Sequence, residues 1–193
     1  MSNRPAFLIE GRMEKLVVEA LCPGSAVRII NCNGDDVALE AIAKRVGTLA
    51  RLVHNRFSPI VVLIDREQRQ AESSKIKREL LALLSQENIN GPVVVGVADR
   101  MIENWILADC ETFSRLANIK VTLPEDGFEG TGGEARLKAL LPNSFIYVKT
   151  IHGVEWFKNC DADTLRQRSA SFREFANALS SVKCPWLAQK RLL

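Results

Sequence analysis

Residues 60–67 read IVVLIDRE, an apolar run from Ile60 to Ile64 that Pro59 introduces and Asp65-Arg66-Glu67 ends. Side chains on a strand alternate between its two faces, so five apolar residues in succession call for cover on both sides, as in a parallel sheet. The flanking sequence agrees. Ala6–Ile9 reads as a short buried strand ending at Glu10-Gly11, and Met13, Leu16, Val17, Ala20 and Leu21 then recur at helical spacing until Pro23-Gly24. Ala26–Ile30 is a second strand, and residues 31–36 form a turn whose aspartates, Asp35 and Asp36, can cap the next helix. Ile42, Val46, Leu49, Ala50 and Val53 form that helix's stripe. After Asp65, a helix over 71–85 turns Ile76, Leu80 and Leu84 inward, Val93–Val97 is a strand, and Met101–Asp109 is helical. This alternation predicts an α/β fold, Rossmann-like, with a doubly wound and mostly parallel sheet over residues 1–118. Residues 119–193 read as a small helical C-terminal elaboration packed on the same domain. Within it the sequence suggests a Gly-rich loop at 125–133, a helix at 134–141, a strand at 145–150 and one or two helices over 163–179.

The 193 residues, 47% hydrophobic and 25% charged, suit a globular chain with a sizeable core. The net charge of +3 excludes nothing, but residues 149–193 carry eight Lys/Arg against four Asp/Glu. A basic half beside an acidic site suits a phosphate-bearing substrate, and solvated surface charge accounts for it equally well. Five scattered cysteines (Cys22, Cys32, Cys110, Cys160 and Cys184) without a CxxC pair fit reduced thiols rather than a disulfide frame. With only His54 and His152 available, a zinc centre is not expected. The opening residues do not read as a signal peptide, and no apolar run approaches the roughly 20 residues of a membrane span. The expectation is a soluble, cytoplasmic protein with no membrane partner.

In open parallel sheets, ligands bind at the C-terminal ends of the strands. Glu10 leaves the first strand there, and Asp65-Arg66-Glu67 leaves the third. In an extended segment Asp65 and Glu67 would point the same way, and facing carboxylates attract a hard cation. Glu14, one helical turn after Glu10, can join them. Taken alone, Asp65 also fits a turn or helix cap, and Glu14 a solvated helix position.

The segments FLIEGRME (7–14) and VVLIDRE (61–67) together resemble the TOPRIM domain of topoisomerases, primases and overcoming-lysogenization-defect (OLD) nucleases. That resemblance implies a TOPRIM-type core with Mg²⁺ (or Mn²⁺) gathered by a Glu after the first strand and an acidic pair after the third; Glu10 matches that Glu, as general acid/base or ligand, and Asp65 the first acid of the pair. Glu67 stands where the family has a second Asp, which moves the carboxylate by one methylene. The Glu10-to-Glu14 spacing is similar to that of two-metal OLD-type sites. MIENWILAD (101–109), YVKTIHG (147–153) and DADTLRQRSASFREF (161–175) resemble, in order, three segments of a small standalone TOPRIM-like family of unknown function, often encoded beside ABC/AAA ATPases. Lys149 resembles the lysine that OLD-type nucleases hold near the scissile phosphate, and a surface lysine is its other reading.

Two further acids are candidates. Ile102, Trp105, Ile106 and Asp109 share one helical face, so Asp109 either caps a helix starting at Cys110 or, with Glu103, orients the metal cluster from behind. Trp105 reads as core, His152 as a loop residue, and Ser169 to Phe172 as the cap of a final helix with Phe172 and Phe175 inward. The leading functional expectation is a Mg²⁺-dependent nuclease, a hydrolase acting on DNA, tRNA or another RNA. It would serve as an antiviral (phage-defence) effector with an ABC/AAA-type ATPase partner. The alternative is a non-catalytic TOPRIM-fold module that binds an ATPase or nucleotide, and a primase-like nucleotidyl transfer ranks behind both.

Overall fold

The computed structural model describes residues 4–32, 37–180, 182 and 184. In chain order the elements begin β1 (Ala6–Ile9), α1 (Arg12–Leu21), β2 (Ala26–Ile29), α2 (Leu39–Val53), β3 (Ile60–Asp65), α3 (Ser73–Leu84) and β4 (Val93–Ala98). There follow α4 (Glu103–Ala108), α5 (Cys110–Ala117), α6 (Gly133–Leu140), a π-helical turn (Lys149–Gly153), α7 (Val154–Asn159), α8 (Ala162–Arg168) and α9 (Ala170–Ala178). The four described strands are all parallel, in the order β2-β1-β3-β4. The apolar run that decides the fold is therefore an inner strand, with every residue of β3 buried. The expected capping aspartates, Asp35 and Asp36, lie outside the described residues.

Strand alternation sorts the core into two layers. Phe7, Ile9, Val61 and Leu63 face one way and pack with Met13, Val17 and Val18 of α1. Ala6, Leu8, Ile60, Val62 and Ile64 face the other and meet Ile42, Val46 and Ala50 of α2 and Ile76 and Leu80 of α3. The chain thus winds to one side from β1 through α1, and to the other through α2 and α3. The reversal falls between β1 and β3, the place where an open α/β sheet leaves a crevice at its strands' C-terminal ends.

The C-terminal residues complete the α1-side layer. Trp105 is fully buried, with ring centroids 5.1 Å from Phe172, 5.7 Å from Phe175 and 6.1 Å from Phe157. Its indole N–H donates to Ser171 Oγ at 2.8 Å. Each large apolar side chain buried this way contributes about 1.5–3 kcal/mol. Ser169 caps α9 by accepting from the Phe172 N–H at 3.1 Å. Glu129 braces the same helix start, accepting from the amides of Ala170 and Ser171 and from both serine hydroxyls.

Two expectations are corrected. Residues 145–150 do not form a strand: 145–148 carry no ladder and the chain then coils into the π-helical turn. Phe145 and Tyr147 stack on Trp156, at 5.9 and 5.6 Å, so these rings serve a loop rather than a sheet face. The cysteines are not all reduced either. Cys22, at the end of α1, and Cys184 form a disulfide with a Cα–Cα distance of 5.1 Å, while Cys32, Cys110 and Cys160 are free thiols. A sequence separation of 162 hides this pairing from any count of spacings.

β4 takes α9 at close range. A β-carbon at Gly96 would lie 2.3 Å from Phe175 Cδ2. Gly96→Ala is expected to lower stability in urea unfolding by about 1–3 kcal/mol, the range for overpacking a filled core. In a Phe175→Leu background most of that penalty should vanish. An equal penalty in both backgrounds would show that the ring is not what the glycine accommodates.

Candidate active site

The strand register sets the site. Ile9 pairs with Leu63, and β3 runs two residues further, so Glu10 leaves β1 level with the end of β3. Glu10 Oε2 there accepts from the Asp65 N–H at 2.8 Å. The Asp65 carboxylate accepts from the Ile102 N–H at 3.1 Å, which ties β3 to the turn before α4. Glu14, on the first turn of α1, is buried beside them, and its charge is the foremost of those acting on Asp65. Glu103, at the start of α4, is fully buried and lies 3.0 Å from Lys149 Nζ. Lys149 enters from the first residue of the π-helical turn.

Five of the seven predicted residues therefore converge: Glu10, Glu14, Asp65, Glu103 and Lys149. Glu67 arrives by a different route from the one expected. The strand stops at Asp65, and Glu67 takes φ 53° with its N–H bonded to Arg100 O at 2.8 Å. Asp65 and Glu67 thus do not share an extended face, although the Glu67 charge still acts on Glu10. Glu103 holds Lys149 directly. Asp109 sits elsewhere, capping α5 through the Thr112 N–H at 3.2 Å and also accepting from the Asp161 N–H at 2.8 Å. It is buried and bonded to backbone, as its place on the Trp105 face requires.

Burial shifts the ionisation of three of these acids, Glu10, Asp65 and Glu103. Burial raises the Glu10 carboxyl from its ordinary 4.5 to about 7; the Asp65 amide opposes the rise and the Glu67 charge adds to it. Asp65 is pushed well above the carboxylate range, first by burial and then by Glu14, with Lys149 opposing. Glu103 is raised by burial against the pull of Lys149. Burial would lower the Lys149 pKa, but Glu103, Asp65 and Glu14 together raise it above its ordinary value, so it stays charged.

Glu10 Oε1, Glu14 Oε2 and Glu103 Oε2 are buried with no hydrogen-bond partner among the described residues. Oxygen-only donors of this kind fit a hard divalent cation such as Mg²⁺ or Mn²⁺, which keeps several waters and needs only one or two carboxylates. As the side chains stand, no three His, Cys, Asp or Glu among the described residues form a closed ligand set. Glu10 and Asp65 each commit one oxygen to a backbone amide.

Reading from sequence did not single out Tyr147, whose hydroxyl is buried near Glu103 and Glu14, nor Asn104. The Asn104 amide donates to the carbonyls of Asp99, Phe128 and Thr131 and so fixes the Gly-rich loop behind α4. The YVK spacing, with side chains two apart on one side, was the available signal for Tyr147.

A family model described as "Domain of unknown function (DUF4276)" matches residues 9–180. No curated protein and no solved structure matches the chain.

The raised Glu10 pKa sets a pH dependence. Its contribution to stability is fully present below 4.5 and is lost as pH rises through about 7. In metal-free buffer, Glu10→Gln should match the wild type near pH 4.5 and exceed it above pH 7 by up to about 3 kcal/mol. Denaturant titrations across that range check this, and a difference that does not grow with pH would remove Glu10 as the titrating group.

Proposed function

The chain belongs to the DUF4276 family, and from the acidic site at its sheet edge we propose that it is a divalent-metal-dependent phosphodiesterase acting on DNA or RNA. The observation that carries this reading is the burial of Glu10, Glu14, Asp65 and Glu103 together, where two core strands end at the fold's crevice, with Lys149 facing Glu103 and Arg69 acting on Glu10. Burying like charges is costly unless cations offset them, and these two cations do not balance four carboxylates.

Mg²⁺ or Mn²⁺ bound by Glu10, Glu14 and Asp65, with Glu67 at the margin, would polarise a phosphodiester and acidify the attacking water. Glu10 would act either as a ligand or, where its carboxylate stays off the metal, as the general acid/base on that water. Lys149 supplies a fixed positive charge for a phosphate oxygen, and Glu103 holds it in place. The TOPRIM-like pattern of FLIEGRME and VVLIDRE supports the same assignment. The resemblance to proteins encoded beside ABC/AAA ATPases supports an ATPase partner and a role in antiviral defence. The reading includes the cytoplasm as compartment; among the described residues no helix is long and apolar enough to cross a membrane.

A second reading, a non-catalytic module that binds an ATPase or nucleotide, is favoured by one observation. Glu10 and Asp65 both bond backbone amides, as structural caps also do. The two readings separate on cleavage of plasmid, single-stranded DNA and tRNA with and without Mn²⁺, each with and without the ATPase. Mn²⁺-dependent cleavage is expected, abolished by Asp65→Asn and lowered about 10²–10⁴-fold in kcat by Glu10→Gln. The Asp65→Asn protein should melt at the same temperature or higher without metal, since it removes a like charge. Cleavage undiminished in Asp65→Asn would leave the module reading ahead.

A further inference from the structure

Residues 145–149 alternate although they are not a strand. Ile146 is 81% exposed and Val148 is exposed, while Tyr147 and Lys149 turn inward to the acidic site. The Tyr147 ring stacks nearly parallel on Trp156, 19° between planes, which fixes the direction of its hydroxyl. That hydroxyl is buried and finds no hydrogen-bond partner among the described residues. Buried hydroxyls rarely lack a partner, and a lone donor inside a site asks for one from outside the chain.

The backbone is shaped around this oxygen. A β-carbon at Gly153 would lie 2.6 Å from Tyr147 Oη and 3.0 Å from Met13 Sδ, so the last residue of the π-helical turn leaves the hydroxyl its room. Single π turns of this kind recur at functional sites. Glu103 links the two inward side chains: it pairs with Lys149 and is the foremost charge acting on Tyr147. Burial first, and then Glu103, Glu134 and Glu14, raise the phenol's pKa, so it keeps its proton.

We propose that the Tyr147 hydroxyl donates a hydrogen bond to a non-bridging oxygen of the phosphodiester, beside Lys149, and is a substrate-binding residue of this site. The proposal rests on the phosphodiesterase reading and adds a neutral donor to the Lys149 cation. The fixed direction of the hydroxyl assigns it the role of positioning the phosphate. The pair suits the anionic non-bridging oxygens of a tetrahedral phosphate better than either group alone, since one supplies charge and the other direction.

Tyr147→Phe tests this, because phenylalanine keeps the stack on Trp156 and removes only the hydroxyl. The probe is a thymidine dinucleotide with a phosphorothioate linkage, titrated calorimetrically in Mn²⁺. The variant should bind it about tenfold more weakly or worse, the usual loss for a hydrogen bond to a charged group. Without metal its melting temperature should equal or exceed that of the wild type, since no bond within the chain is lost. Equal affinity in the two proteins overturns the proposal alone. A melting temperature several degrees lower also overturns it, by showing that the hydroxyl has an internal partner. Failure of the wild type to bind the probe in Mn²⁺ sinks the phosphodiesterase reading, and this proposal with it.

Discussion

The hydrogen bond from the Asp65 N–H to Glu10 Oε2, 2.8 Å long, spans the gap where the chain changes winding direction. β1 and β3 pair along their length, yet their helices leave on opposite faces, which opens a crevice at their C-terminal ends. A carboxylate bridging to the next strand's amide fastens those ends and at the same time carries negative charge into the crevice. Asp65 repeats the arrangement one step on, toward the Ile102 amide before α4. The acids are thus both part of the scaffold and part of the site.

Their proximity carries an electrostatic penalty. Two unit charges 4 Å apart repel by about 4 kcal/mol at an effective dielectric near 20. The protein tempers this with Lys149 and, at Glu10, Arg69, and by letting Glu10 and Asp65 hold protons above the ordinary carboxylate range. Stabilising a fold does not call for such a cluster, because well-packed apolar residues serve as well or better. Acids buried together in a crevice are the observation on which the proposed reading rests.

Much of this was legible in the residues, and what was not has identifiable causes. IVVLID announced a doubly covered strand because burial on both faces leaves no alternation to disguise it. Ser169 announced its helix, since a capping hydroxyl acts within three residues. Glu10, Glu14 and Asp65 were nameable because strand ends and first helical turns are local features, whereas Lys149 was named from a resemblance, the strand expected to end there being a loop. The left-handed turn at Glu67 escaped notice because an acidic residue there looks like continued strand. The loop at 145–148 reads as a strand from its alternation, but its inward side chains meet Trp156 and Glu103 instead of a sheet neighbour. The Cys22–Cys184 bond, the Glu129 brace and the Asn104 clamp join segments far apart in sequence, where no periodicity reports contact.

The α1-side core has a consequence for how the protein is made. Phe7, Ile9 and Met13 share it with Trp156, Phe172 and Phe175, and Gly96 is shaped to receive α9. During synthesis the sheet and the α2–α3 layer can assemble early, while the opposite face stays bare of its aromatic cover until α9 has left the ribosome. That nascent intermediate presents apolar surface to the cell. Glu103 sits on α4 beside Trp105, which packs on Phe172 and Phe175, so the acidic crevice lies next to the same late cover. The crevice is consequently among the last features to mature, and a half-made chain would lack this arrangement of buried acids.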